Sequence, residues 1–335
     1  MSPIFSKPNV LVTCGAGFLG SHLCDEMIKK NKIICLDNFI SGHEENIDHL
    51  MANHDFEFIR HDIVKPIDLE ALPALERFKV KFQGVQEVWH LACPTPLKDF
   101  KAQSIETLQT NALGTINALE IARRYNAKFL FTSSSVVYGP RKGNNLFYQE
   151  EDAGIVEILS ERACYDEGKR FAETACFTYQ QKYKFPVKIA RVFRTYCPRM
   201  PLNSGQMVPD FLVNAIDNED LIIYGDKNLR TSLCYISDII DGLIKMMSQE
   251  QGFLVLNLGY PQDLAEALVA EKAIALAESS SKIVFKDAPV FKTPLGLPNI
   301  QKAKEQLGWF PLIPLEQGLK RTYDYTLAQK GIIGI

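Results

Sequence analysis

The sequence predicts an α/β fold: a doubly wound parallel sheet covered by helices on both faces, followed by a smaller C-terminal α/β domain. Three observations carry that expectation. Apolar runs of strand length alternate with amphipathic stretches of helical period as far as Val192. A glycine-rich turn joins the first strand to the first helix, and an acid closes the second strand.

The first strand is Val10-Leu11-Val12, which runs into Thr13-Cys14-Gly15-Ala16-Gly17-Phe18-Leu19-Gly20. A helical stretch follows from Ser21 to Lys30, with Leu23, Met27 and Ile28 on one face. Lys32 to Leu36 is the second strand and ends on Asp37. Further strands are expected at Phe56–Ile59, Glu87–Leu91, Lys128–Thr132 and Val187–Val192, with helices at Thr107–Arg124 and Tyr165–Tyr183. Strands that are apolar almost throughout are buried on both faces, as in a parallel sheet. Beyond Arg194, prolines 198, 201 and 209 break the pattern, and Leu221–Tyr224 and Lys282–Phe285 are the clearest short β segments. Tyr235–Gly259 is expected to return to the main sheet. The expected division is a cofactor domain of residues 1–193 with about 235–260, and a substrate-binding domain of residues 194–234 and 261–335.

The composition excludes several classes. The 335 residues carry 37 Lys+Arg against 40 Asp+Glu, a net charge of −3, which lacks the basic excess of a nucleic-acid binder. No apolar run approaches the roughly 18–20 residues that span a bilayer, and the N-terminal ten residues hold two prolines rather than a signal-peptide core. The expectation is a soluble, cytoplasmic chain with no membrane partner. Its eight cysteines include no CxxC pair, the usage of reduced thiols rather than of disulfides or a metal site. All six histidines lie at or before His90. Acid–base chemistry later in the chain must therefore use Tyr, Lys, Cys or carboxylates.

The glycine turn suits a dinucleotide pyrophosphate. Gly15 and Gly17 let the backbone approach the phosphates, and the helix starting near Phe18 and Leu19 aims free N–H groups at them. Asp37 lies 17 residues past Gly20, where a carboxylate binds both ribose hydroxyls and repels a 2′-phosphate, so NAD is the expected cofactor of a Rossmann-like domain. Cys14 stands where this turn usually has its first glycine, and a turn with negative φ is expected there. Downstream, Tyr165 and Lys169 share one helix face at i and i+4. A nearby ammonium is expected to lower the phenol's pKa towards that of a general base. The run Thr132-Ser133-Ser134-Ser135 supplies a hydroxyl for a substrate alcohol.

Glycine turn, acid, serine run and Tyr-x-x-x-Lys occur in one order, and with them the sequence resembles the extended short-chain dehydrogenases/reductases that modify nucleotide sugars. Within that group it is most similar to the UDP-glucuronate decarboxylases, over about Asn9 to Tyr325. The strings that carry this are Cys35-Leu36-Asp37-Asn38-Phe39, Ile59-Arg60-His61-Asp62-Ile63, His90-Leu91-Ala92-Cys93-Pro94 and Cys164-Tyr165-Asp166-Glu167-Gly168-Lys169-Arg170. Cys197-Pro198-Arg199-Met200, Leu307-Gly308-Trp309 and Pro314-Leu315-Glu316-Gln317-Gly318-Leu319 continue it. The resemblance implies Ser134, Tyr165 and Lys169 as the catalytic set. It places Asp62 and Ile63 beside the adenine and Leu91 and Ala92 in the dinucleotide groove. It adds Asn38, Phe39, Ser41, Gly42, Asn111 and Ser133 to the cofactor site, and gives Pro94, Arg194, Val208, Tyr224 and Arg230 to a UDP- or dTDP-sugar. It also implies a homodimer through a four-helix bundle of the Thr107–Arg124 and Tyr165–Tyr183 helices.

The sequence leaves the family pattern at the sugar end. Where the decarboxylases have a glutamate after the Thr-Ser pair, this chain has Val136. Where they have a carboxylate-binding arginine, it reads Thr293-Pro294-Leu295-Gly296-Leu297-Pro298-Asn299-Ile300. A buried uronate carboxylate would lack its cation here, so the expected substrate is not a uronic acid. On the nucleotide side, Arg194 replaces an asparagine, and Arg230 lies one residue before the usual phosphate-facing arginine, a contact that a shifted loop or Arg194 itself could supply. Cys93, Cys164 and Ser135 are the candidates for any second proton transfer. The leading expectation is transient C4 oxidation of a nucleotide hexose, ending in epimerisation or ring rearrangement. UDP-glucuronate decarboxylation is the alternative, and a non-catalytic sensor of dinucleotide and nucleotide sugar is a third.

Overall fold

Seven short strands account for most of the apolar runs. They are β1 (Asn9–Thr13), β2 (Lys32–Asp37), β3 (Phe56–Arg60), β4 (Glu87–His90), β5 (Lys128–Ser134), β6 (Val187–Val192) and β7 (Phe253–Leu258). In the computed structural model, which describes residues 7–95, 102–141, 146–225, 227–250, 252–287 and 295–333, they form one sheet of order β7-β6-β5-β4-β1-β2-β3. Every pairing is parallel, with Val12 beside Cys35 on one side and Trp89 on the other. Alternate residues feed two separate cores. Val12, Cys35, Trp89 and Leu130 belong to one, and Leu11, Ile34, Val88 and Phe129 to the other. That is the doubly wound arrangement, with helices burying both faces. The segment 235–260 supplies β7, which pairs with β6 at the sheet's edge.

Between β1 and β4 the strand order reverses, which opens a crevice at the carboxyl ends of the strands. The glycine turn after β1, the serine run at the end of β5 and the segment after β6 all face it. The expected Thr107–Arg124 helix is continuous but not uniform. Helices Ser104–Gln109 and Thr115–Tyr125 are joined by a π-helical turn at Thr110–Gly114, the kind of bulge that re-aims side chains near functional sites. It carries Asn111. Helix Ala163–Tyr183 packs beside it and brings Tyr165 and Lys169 under the crevice.

The later residues form a cap of small sheets and helices. Leu221–Tyr224 pairs with Ile283–Lys286, and Arg230–Thr231 pairs antiparallel with Leu264–Ala265. Thr195–Tyr196 pairs with Cys234–Tyr235, and Leu297–Pro298 pairs with Phe147–Tyr148. Among the described residues, no helix is long and apolar enough to cross a membrane.

Candidate active site

The nucleotide turn is built by close approach. A Cβ on Gly20 would meet the Cys14 carbonyl oxygen at 2.0 Å and the Gly15 Cα at 2.8 Å, and one on Gly17 would meet the Cys14 Sγ at 2.8 Å. The Gly17 amide donates to the Cys14 carbonyl at 3.1 Å and closes the turn. Cys14 corrects one expectation. Its φ is +57°, not negative, so this cysteine takes the left-handed conformation that the missing glycine would adopt freely, at a cost of roughly 1–2 kcal/mol. Asp37, buried at the end of β2, accepts from the Ala16 amide at 2.9 Å and the Phe39 amide at 2.8 Å. Burial pushes its carboxyl up, against those backbone donors, which hold it down.

From this turn a groove runs past Leu36, Asp37, Asn38, Ser41, Asp62 and Ile63 to Ala92, Cys93 and Pro94. Gly42 keeps it open, because a Cβ there would meet the Asp37 carboxylate at 2.8 Å. Phe39 lies outside this lining and stacks on Phe58, with ring centres 4.9 Å apart.

The groove opens into a cleft of about 250 Å³ that takes in Gly17, Phe18, Leu19, Leu91, Ser133, Ser134, Ser135, Tyr165 and Lys169. Ser134 hydrogen-bonds Tyr165, and the Lys169 ammonium donates to the Thr132 carbonyl at 2.9 Å. The expected lowering of the phenol's pKa is not what the resting site shows. Burial pushes Tyr165 well above the usual phenol range, the nearby Cys93 raises it further, and the Ser134 hydrogen bond opposes both. Burial likewise lowers Lys169. The ammonium donates to a backbone carbonyl and lies 5.8 Å from the Tyr165 ring centre.

Val136 shares a buried apolar cluster with Tyr165 and Cys93, and Cys164 and Leu295 pack against it. This end of the cleft thus has an aliphatic wall at the position where the resemblance implies a glutamate. Of the stretch read as lacking the carboxylate-binding arginine, Thr293 and Pro294 lie outside the described residues; Leu295 lines the cleft. The Cys93 thiol accepts from Asn111 Nδ2 at 3.1 Å. Burial pushes Cys93 up, and the Lys169 charge and the Asn111 N–H pull it back only in part. Cys164 is also raised by burial. Neither is a ready thiolate, so as proton-transfer groups both start as thiols. All eight cysteines are free.

Among the expected substrate contacts, Arg194 lines the cleft and pairs with Glu266, while Arg230 lines a side cavity and pairs with Asp263 at 2.9 Å. Val208 is 3% exposed and belongs to the core, and Tyr224, at the end of Leu221–Tyr224, lies outside the cleft lining. Three features escaped the sequence reading. Arg162, one helical turn before Tyr165, lines the cleft and pairs with Asp166; its spacing was the available signal. Glu173, one turn beyond Lys169, takes the Ser133 hydroxyl and the Arg191 guanidinium, which locks the end of β5 to helix Ala163–Tyr183. Glu266 had no signal, since its partner is 72 residues away.

Residues 10–259 match the model of the NAD dependent epimerase/dehydratase family. The chain belongs to that family. As an NAD-dependent epimerase/dehydratase it is an enzyme, and its groove fits the cofactor: glycines that leave no room for a Cβ, and a buried acid at the ribose position. It is 39% identical to UDP-glucuronic acid decarboxylase 1 of Arabidopsis thaliana, over 93% of this chain and 68% of that one. To the enzyme of the same name from Xenopus tropicalis it is 37% identical, over 95% and 72%. UDP-glucuronic acid 4-epimerase from Bacillus cereus, solved with UDP-glucuronic acid and NAD, superposes with a TM-score of 0.84. That match has 25% identity and covers 96% of this chain and 99% of the other. The epimerase Mth375 of Methanothermobacter thermautotrophicus gives 0.85 at 26% identity, covering 98% and 95%.

Proposed function

We propose that this epimerase/dehydratase oxidises C4 of a nucleotide-linked hexose transiently, on a sugar without a C6 carboxylate, and that C4 epimerisation is the outcome. The observation that carries this is the wall of Val136 and Leu295 beside Tyr165. NAD, when bound along Gly15–Gly20, Asp37 and Asp62, supplies the oxidising equivalent at C4 and restores it at the end. Ser134 orients the C4 hydroxyl, and Tyr165 takes its proton, with Lys169 beneath the ring and the nearby Arg162 charge favouring the phenolate. Reducing the ketone from its other face, after the sugar turns, needs only the same tyrosine as acid. A cleft lined by no carboxylate among the described residues suits a reaction with no second base. Ring rearrangement would need one, and Cys93 and Ser135 are the groups in place for it.

A second reading is favoured by a separate observation, the likeness to UDP-glucuronic acid decarboxylases over more than nine-tenths of the chain. A 4-keto uronate loses carbon dioxide without a base, so Val136 alone does not forbid it. Arg162 and Arg194 would then have to serve the carboxylate in spite of Asp166 and Glu266. The test is an NMR product screen on UDP-glucose, UDP-galactose, UDP-glucuronate and dTDP-glucose. Interconversion of the neutral C4 epimers is expected. UDP-xylose and carbon dioxide from UDP-glucuronate would establish the second reading instead. Binding without turnover of any of them would make the protein a sensor.

A further inference from the structure

Arg194 and Glu266 meet at the boundary between the main cleft and the side cavity, which share Ser135, Phe193, Arg194 and Leu295 in their linings. Arg194 lies two residues beyond β6, and its carbonyl accepts from the Cys234 amide at 3.0 Å. Glu266 opens the helix Glu266–Ala277, and its amide donates to the Leu229 carbonyl at 3.0 Å. Nη1 of the arginine is 3.3 Å from Oε1 of the glutamate. Their exposures differ sharply: 33% for the arginine side chain, which faces the cleft, and 2% for the glutamate behind it.

A carboxylate so deeply buried is stable as an ion where a fixed cation and the positive end of a helix compensate it. Arg194 supplies the first and the start of Glu266–Ala277 the second. The guanidinium therefore presents N–H donors to the cleft with its charge already balanced from behind. A sugar hydroxyl can use such donors. A second carboxylate at the same place would have to compete with Glu266 for one cation, across a few ångströms of low-dielectric protein.

We propose that Glu266 is a specificity-determining residue: by holding Arg194 in an ion pair it balances the guanidinium's charge at the cleft, and so turns uronates away in favour of hexoses that carry no carboxylate. This rests on the nucleotide-sugar reading of the cleft. Glu266→Gln keeps the size of the side chain and an acceptor oxygen, removes the charge, and leaves Arg194 able to grip a carboxylate with two parallel N–H bonds.

The experiment is equilibrium binding of UDP-glucose and UDP-glucuronate to the NAD-loaded protein. The native protein is expected to favour UDP-glucose by about tenfold or more, the scale of one charge-assisted hydrogen bond. Glu266→Gln should narrow or invert that ratio by about tenfold, through tighter uronate binding, and Arg194→Gln added to it should remove the gain. Arg194→Gln alone takes the guanidinium away from Glu266 and should widen the ratio, which tests the same idea should Glu266→Gln fold poorly. A ratio that neither variant moves overturns the proposal, as does a native protein that holds both sugars equally. Failure of the native protein to bind either sugar, with NAD still held, overturns the nucleotide-sugar reading itself.

Discussion

The Nζ of Lys169 donates to the main-chain carbonyl of Thr132 at 2.9 Å, so helix Ala163–Tyr183 is tied to the end of β5 by the residue whose ammonium also lies beneath the Tyr165 ring. Because burial raises the phenol and lowers the ammonium, the phenolate is scarce in the resting site at neutral pH. Turnover is expected to rise with pH as Tyr165 deprotonates. Lys169→Met removes the ammonium that lies 5.8 Å from the ring centre and leaves Arg162 as the cation favouring the phenolate, so it should move that limb to higher pH. It should also cut turnover by about 10²–10⁴-fold, the usual worth of a positioned proton-transfer group. Tyr165→Phe should lose as much with no alkaline limb left to move. A pH–rate profile of each variant decides this; a Tyr165→Phe enzyme as fast as the native one would sink transient oxidation altogether.

Gly20→Ala puts a methyl group into backbone. Its nearest neighbours would be the Cys14 carbonyl oxygen at 2.0 Å and the Gly15 Cα at 2.8 Å, neither of which can rotate away as a side chain would. The first helix must then withdraw from β1, and the turn that cradles the pyrophosphate opens. Destabilisation of roughly 1–3 kcal/mol is expected, with loss of most NAD affinity. Urea unfolding and titration with NAD measure the two effects. Native-like NAD binding in this variant would mean that the turn does not carry the cofactor.

How far these features were legible follows from how local their causes are. The strands of the main sheet could be read because apolar runs buried on both faces are a property of single segments. The Tyr165–Lys169 spacing and the Asp37 position are local in the same way. The φ of Cys14 is not legible in that way, because it belongs to a turn in which Gly17 and Gly20 lie against Cys14 itself, a packing that one-dimensional pattern does not contain. The resting state of Tyr165 was misread for a similar reason. Residue spacing shows that a lysine is near, but only the burial of both groups shows that desolvation outweighs it. Glu266 and Arg194 become neighbours solely because β6 and the cap converge on one cleft.

A second surface gives the expected dimer a direct test. Ile105 and Leu108 on Ser104–Gln109, Leu113 on the π turn, and Phe171 and Phe177 on Ala163–Tyr183 are 46–60% exposed, large apolar groups on the two adjacent helices expected to form a four-helix bundle. Apolar exposure of this kind is typical of an unsatisfied helix face. Leu108→Arg combined with Phe171→Glu should leave the fold and NAD binding intact and shift sedimentation from a dimer to a monomer. A native protein that sediments as a monomer at micromolar concentration would remove the expectation.

His90 makes the protein acid-sensitive in a defined direction. It is fully buried at the end of β4, between the hydroxyls of Thr13 at 2.9 Å and Thr115 at 3.2 Å, and burial together with the Lys169 charge lowers it to about 3. The unfolded chain takes up a proton near pH 6.5 that the folded one refuses. Its contribution is therefore fully present above pH 6.5 and is lost as the pH falls from there towards 3, at up to about 1.4 kcal/mol per pH unit. His22, lowered to about 4 mainly by burial, adds a component of the same sign. His90→Gln can still bridge the two threonines. It should be less stable at neutral pH, yet its unfolding free energy should fall less steeply below pH 6.5, because only the His22 component remains beside the carboxylates. Urea unfolding of both proteins across that range measures the slopes, and equal slopes would show that His90 is charged in the fold.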